Sequence, residues 1–190
     1  MNCLPGNVKN HLICVDTDDC LADMYKICLK RLKKKGSLVL IITSKTFDFF
    51  SLPMKRMKIS KEKMKQLIVI NYATIADVSQ KLMDLCEWSL LPAMVVVDVS
   101  GMTSTEPATT LMKNLGLCAA SFLDYLMAIS LQNQEKQNDQ QVVQGLFIVK
   151  EGGDNFIDAQ LQLLQNLYFY KNNVLVDAHE LEKILENGRD

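Results

Sequence analysis

The chain is short of the residues that build small metal sites and disulfide frameworks. It has two histidines in 190 residues, and its six cysteines (Cys3, Cys14, Cys20, Cys28, Cys86, Cys118) form no C-x-x-C pair. His11 is the one histidine near any of them. No zinc site or other metal centre is expected, and thiols scattered through apolar runs read as free, buried groups of a reducing compartment. Charge of one sign is also missing. A net charge of -1 and a pI of about 6.1 exclude a broadly basic surface that coats nucleic acid, leaving room only for a local patch. No apolar run behind a basic cluster opens the chain, and none is expected to reach the length of a membrane span, so a soluble intracellular protein with no membrane partner is expected. Aromatic residues make up 7%. What is present is a 48% hydrophobic, 23% charged composition, enough for one domain over 1–190 to bury a core without staples.

Short apolar runs alternate with amphipathic segments, the pattern of stacked βαβ units and a mainly parallel sheet with helices on both faces. Strands are expected at 11–15, 38–43, 67–72, 94–98, 145–149 and 173–176. Leu21, Tyr25, Cys28 and Leu32 fall at helical spacing after the first strand. Thr74, with Asp77 three residues on, reads as a capping box opening a helix lined by Ile75, Val78, Leu82 and Leu85. Leu111, Leu115, Cys118, Phe122, Tyr125 and Ile129 set a long helix over about 107–131. Ile157 to Tyr168 repeats the pattern, and a weaker helix follows at 178–187. QNQEKQNDQQ (132–141) has no apolar residue and reads as a mobile surface loop reaching to about 144.

The most distinctive segment is VDTDDCLAD, Val15 to Asp23, at the junction of the first strand and the first helix. A phosphate loop at such a junction needs glycines that expose backbone N–H groups, a lysine for the phosphates and a hydroxyl for magnesium. Here Ala22 holds the lysine position and Asp23 the hydroxyl position. Asp16, Asp18, Asp19 and Asp23 would repel a polyphosphate instead of gripping it. Farther on, the apolar run MVVVD ends in Asp98 as a Walker B strand does, where the acid holds magnesium through water. An equally weighted reading makes Asp98 a strand-end residue that caps the following turn.

In order, the degenerate loop, LVLIITS, LIVINY with its capped helix, the Asp98 strand, the long helix and GLFIVKEGG resemble the core of the RecA recombinases and their eukaryotic paralogues. Two stretches, VLIITSKTFDFFSLP followed by the Asp98 block and GLFIVKEGG through DAQLQLLQNLYFYKNNVLV, are most similar to the small paralogue that associates with a SWIM-type zinc-finger protein in Shu-type complexes. That resemblance implies a RecA-like fold and a nuclear, ATPase-deficient subunit. It further implies a heterodimer with another paralogue or a SWIM-domain protein, acting on recombinase filaments on single-stranded DNA. ATP and magnesium, where present, would sit on the partner, so this chain is expected to carry no cofactor and no catalytic residue. The chain begins about ten residues before its first strand, leaving no room for a separate DNA-binding domain, and EGGDNFID is acidic where a recombinase places a DNA-binding loop.

Two surfaces are candidates for contact. Lys55, Arg56, Lys58, Lys61, Lys63 and Lys65, against Glu62 alone, make a local basic cluster suited to phosphate contacts, or else a plain solvated segment. RLKKK (31–35) reads as cations complementing the end of the first helix. Phe47, Phe49 and Phe50 with Ile68, Ile70 and Tyr72 are the candidate partner-docking residues.

VDTDDCLAD also resembles the first motif of haloacid-dehalogenase-type phosphatases. That resemblance implies Asp16 as nucleophile, Asp18 as acid and base, a phosphate-binding hydroxyl from Thr43 or Ser44, Lys150 on the phosphate, and magnesium held with Asp154 and Asp158. Asp19 and Cys20 depart from that motif.

Overall fold

The computed structural model describes residues 5–15, 25–33, 37–43, 59–101, 107–136 and 142–150. The acidic loop beyond Val15, Ser44, Phe47, Phe49, Phe50, Lys55, Arg56, Lys58, the EGGDNFID segment, the strand at 173–176 and the last two expected helices lie outside them.

Five parallel strands form one sheet in the order β1-β5-β4-β2-β3. They are β1 (Val8–Val15), β2 (Val39–Thr43), β3 (Leu67–Asn71), β4 (Met94–Asp98) and β5 (Val143–Lys150). The helical segments are α1 (residues 25–30, continued by a 3-10 turn at Arg31–Lys33), α2 (Lys61–Met64), α3 (Ile75–Leu85) and α4 (Ala108–Glu135). An α/β architecture with helices on both sheet faces is what the alternating pattern requires.

Because side chains alternate across a strand, each strand feeds two cores. Leu12, Leu40, Ile42, Val95, Val97 and Phe147 pack under α3 and α4. Ile13, Val39, Ile41, Val96 and Ile148 pack under α1 and α2 with Tyr25, Leu29, Leu32 and Ile59. The central strands β2 and β4 are buried at every position, so they read in the sequence as unbroken Val/Ile/Leu runs. Each such buried side chain contributes roughly 1.5–3 kcal/mol relative to exposure.

α3 starts where the capping box places it. Asp77 N–H donates to Thr74 Oγ1 at 3.1 Å, and the Thr74 hydroxyl donates to Asp77 Oδ2 at 2.7 Å. α4 crosses β5 closely at Gly145. A Cβ added there would meet Leu126 Cδ1, with Phe122 Cζ at 2.8 Å and Asn10 Oδ1 at 3.3 Å. Phe122 then tilts over Phe147, ring centroids 5.6 Å apart.

Four expectations are corrected. Residues 132–135 are the last turn of α4 and not loop, because Asn133 is fully buried and the Gln132 amide donates to Cys86 O at 3.0 Å. Residues 143–144 are already strand, since Val143 and Gln144 pair with Val8 and Lys9 of β1. The same ladder extends β1 back from His11 to Val8 through polar residues whose side chains carry no strand signal. Finally, α4 does have the length and apolarity of a membrane span over Thr109–Glu135, yet 56% of its most apolar window is buried inside the protein, as befits a core helix.

Candidate functional site at the carboxyl ends of the central strands

α1 and α2, which follow β1 and β2, pack on one face of the sheet, and α3 and α4, which follow β3 and β4, pack on the other. Neighbouring strands β2 and β4 are therefore followed by helices on opposite faces. In an open parallel sheet such a topological switch point opens a crevice outside the carboxyl ends of the strands, where ligands bind.

Thr43 and Asp98 are the last residues of β2 and β4 and are register partners. Both follow residues of the α1-side core by two, which aims their side chains at α1. From α1, the Tyr25 hydroxyl reaches Asp98 Oδ2 at 2.6 Å and lies 3.2 Å from Thr43 Oγ1. A phenol has one proton to give, and the short contact with the charged acceptor takes it. Thr43 then donates its own proton to Asp98 Oδ2 at 3.1 Å. On the other oxygen, Ser100 N–H donates to Oδ1 at 2.9 Å. Tyr25, Thr43 and Asp98 are all fully buried. Burial first, and then the Asp98 charge, push the Tyr25 pKa well above its ordinary value.

Both carboxylate oxygens are thus served by the protein's own donors. The strand-end reading of Asp98 is met literally, since it caps the turn at Ser100. Oδ2 takes the two hydroxyls, while Oδ1 takes the Ser100 N–H. Among the described residues no group of three His, Cys, Asp or Glu side chains is placed to hold a metal ion. Sequence reasoning placed Tyr25 on the apolar face of α1 and missed its hydroxyl. The available signal was a tyrosine at helical spacing opposite two strands that end in Thr and Asp.

The other expected site residues lie elsewhere. Lys61 and Lys63 are on the single turn α2, whose N-cap Ser60 accepts from Lys63 N–H at 3.3 Å, and Lys65 follows as its C-cap. Lys65 pairs with Glu62 at 2.9 Å. Ile68, Ile70 and Tyr72 are half-buried on or just after β3, where all three pack onto the α3/α4 core. Thr43 is committed to Asp98. Cys28 and Cys118 are free and buried, and burial raises each thiol to about 12.

No protein-family model matches the chain, and no curated protein matches it. Among solved structures, the chain is similar to that titled "Crystal structure of SulA from Pseudomonas aeruginosa", with 12% identity over 77% of this chain and 100% of that one and a TM-score of 0.35.

Proposed function

We propose that this chain is a non-catalytic subunit of the RecA-recombinase paralogue kind. In this reading it forms a heterodimer with another paralogue or a SWIM-domain protein and promotes homologous recombination in the nucleus by stabilising or remodelling recombinase filaments on single-stranded DNA. The observation that supports the non-catalytic part is the engagement of Asp98 by Tyr25, Thr43 and the Ser100 N–H. An acid held this way ties three chain segments together, a structural use of the carboxylate. Any ATP and magnesium belong to the partner.

Among the described residues β3 is an edge strand of the sheet, which supports the binding part. Val39 N–H donates to Gln66 O at 2.9 Å and Tyr72 N–H donates to Thr43 O at 3.1 Å. In a parallel ladder alternate residues bond the same neighbour, so Leu67, Val69 and Asn71 direct their backbone N–H and C=O groups outward. An uncharged LIVINY edge of this kind is a template for strand addition by a partner. The committed, buried Thr43 hydroxyl weighs against the phosphatase reading, in which that hydroxyl faces phosphate.

Co-expression with a recombinase paralogue or a SWIM-domain protein tests the proposal. A stable complex is expected, with no turnover by the free chain. Hydrolysis of an aryl phosphate with magnesium, abolished by Asp16→Asn, would overturn it in favour of the phosphatase.

A further inference from the structure

The chain crossings bring together two basic runs that are far apart in sequence. α1 runs from the carboxyl ends of the strands toward their amino ends, and α2 sits beside its last turn. There the Lys63 ammonium donates to the Lys33 carbonyl, which joins the 31–33 and 61–65 segments at the amino-terminal edge of the α1/α2 face. On the other side of α1's end, Arg31 Nη2 reaches Val142 O at 3.5 Å, just before β5. Lys9, two residues before His11 on the same face of β1, extends the line to the next strand. From β3 to β1 the sheet is four strand spacings wide, about 19 Å.

We infer that this edge, built from Lys9, Arg31, Lys33, Lys61, Lys63 and Lys65, is a contact surface for the phosphate backbone of nucleic acid. Each cation comes from a segment fixed by the sheet or by the Lys63–Lys33 contact. Arg31 is half-buried with its Nε unpartnered among the described residues, burial lowers its pKa, and its Nη2 donates to a neutral carbonyl, that of Val142, not to a carboxylate. Among the described residues, the acids on this face are Glu62, already paired with Lys65, and the buried Asp98. The opposite face holds the rest: Asp77, Asp84, Glu87, Asp124 and Glu135. Among the described residues the acids are therefore concentrated on the face opposite these cations.

A polyphosphate fits this edge better than an anionic membrane does. Membrane surfaces take up basic residues that flank exposed apolar ones. Here the large exposed apolar residues, Met83, Leu90, Leu117 and Leu131, all lie on or beside α3 and α4. No aromatic ring of the described residues stands among the six cations, so contact would be with backbone and indifferent to base sequence.

The test is fluorescence anisotropy of the full chain with labelled oligothymidine and with a duplex of equal length, over a range of salt. Lys33→Glu with Lys61→Glu is compared with Lys81→Glu with Lys113→Glu, a change of equal charge on the other face. The first pair is expected to weaken binding about tenfold or more and to flatten the log–log salt slope on single strands by about 1.4. The second pair is expected to leave both nearly unchanged. Equal loss from both pairs, no binding by the wild-type chain at low salt, or binding to phosphatidylserine vesicles in place of nucleic acid would each overturn the inference. Partner capture by the Lys33/Lys61 variant separates this outcome from failure of the heterodimer reading, because the β3 edge is untouched.

Discussion

Tyr25 and Asp98, 73 residues apart in the chain, meet through a 2.6 Å hydrogen bond in which a buried phenol donates to a buried carboxylate. The pair joins the first helix to the end of a central strand. Thr43 completes it from the strand between β4 and the sheet edge.

That geometry sets a stability cost. Tyr25→Phe removes a hydrogen bond to a charged acceptor and should cost about 1.5–3 kcal/mol. Thr43→Val removes the second donor on the same oxygen. In a double-mutant cycle by urea unfolding, the two should couple by about 0.5–3 kcal/mol. Strict additivity would mean that the two hydroxyls do not share Asp98.

The pH profile should fall on both sides of neutrality. Burial, helped by Lys9, lowers the His11 pKa below its ordinary 6.5. The unfolded chain then binds the proton that the folded chain refuses, so stability is present above pH 6.5 and is lost as pH drops through the lower folded value. Burial raises Cys28 and Cys118 from 9.0 to about 12, and raises Tyr25 and Tyr125 above 10.0. Their contribution is complete below pH 9 and declines as pH rises beyond it, since the unfolded chain loses those protons first. Chemical unfolding across pH checks both limbs, and His11→Leu should flatten the acid limb alone.

Gly145 is the point where α4 approaches the sheet. Gly145→Ala would press a methyl against Leu126 and Phe122, and should cost about 1–3 kcal/mol by overpacking. Replacing Gly116, which has open space around its Cβ position, should by contrast stabilise α4 by about 0.5–1 kcal/mol, because alanine is the better helix former. Thermal melts of the two variants should therefore move in opposite directions.

Val69→Pro is a clean probe of the β3 edge. The Val69 N–H faces away from β2, so proline there removes a donor from the outer side of β3 without breaking the ladder to β2. The variant should keep its far-UV spectrum and lose partner affinity about tenfold or more, since strand addition draws on that edge's backbone groups. Undiminished capture of the partner would place docking elsewhere.

Much of this fold is legible in the sequence because the two central strands are buried on both faces and the α3 cap is made by adjacent residues. MVVVD matches β4 at both ends, and Thr74 caps α3 as read. What the sequence withholds is long-range. β1 begins at Val8 because β5 pairs with it, although Lys9 and Asn10 look like loop residues. The last turn of α4 is polar in composition yet helical, and Gln132 ties it to Cys86 O. At the site, Asp98 stood out as a strand-end acid. Its partners did not, because a tyrosine at helical spacing among leucines reads as core until its hydroxyl is placed. The two basic runs read separately as a solvated patch and a helix end, and only the chain crossing sets them side by side.

The account rests on Asp98 being held by the protein rather than serving a ligand. Acids kept for metal or nucleotide chemistry tend to cost stability, whereas one satisfied by internal donors contributes it. Thermal unfolding of the wild-type chain and of Asp98→Asn, each with magnesium and ATP and then with chelator, separates the two. The variant should melt about 5–10 °C lower, corresponding to a loss of about 2–3 kcal/mol, and magnesium with ATP should shift neither protein. A variant as stable as wild type, together with stabilisation of the wild type alone by magnesium and ATP, would contradict it.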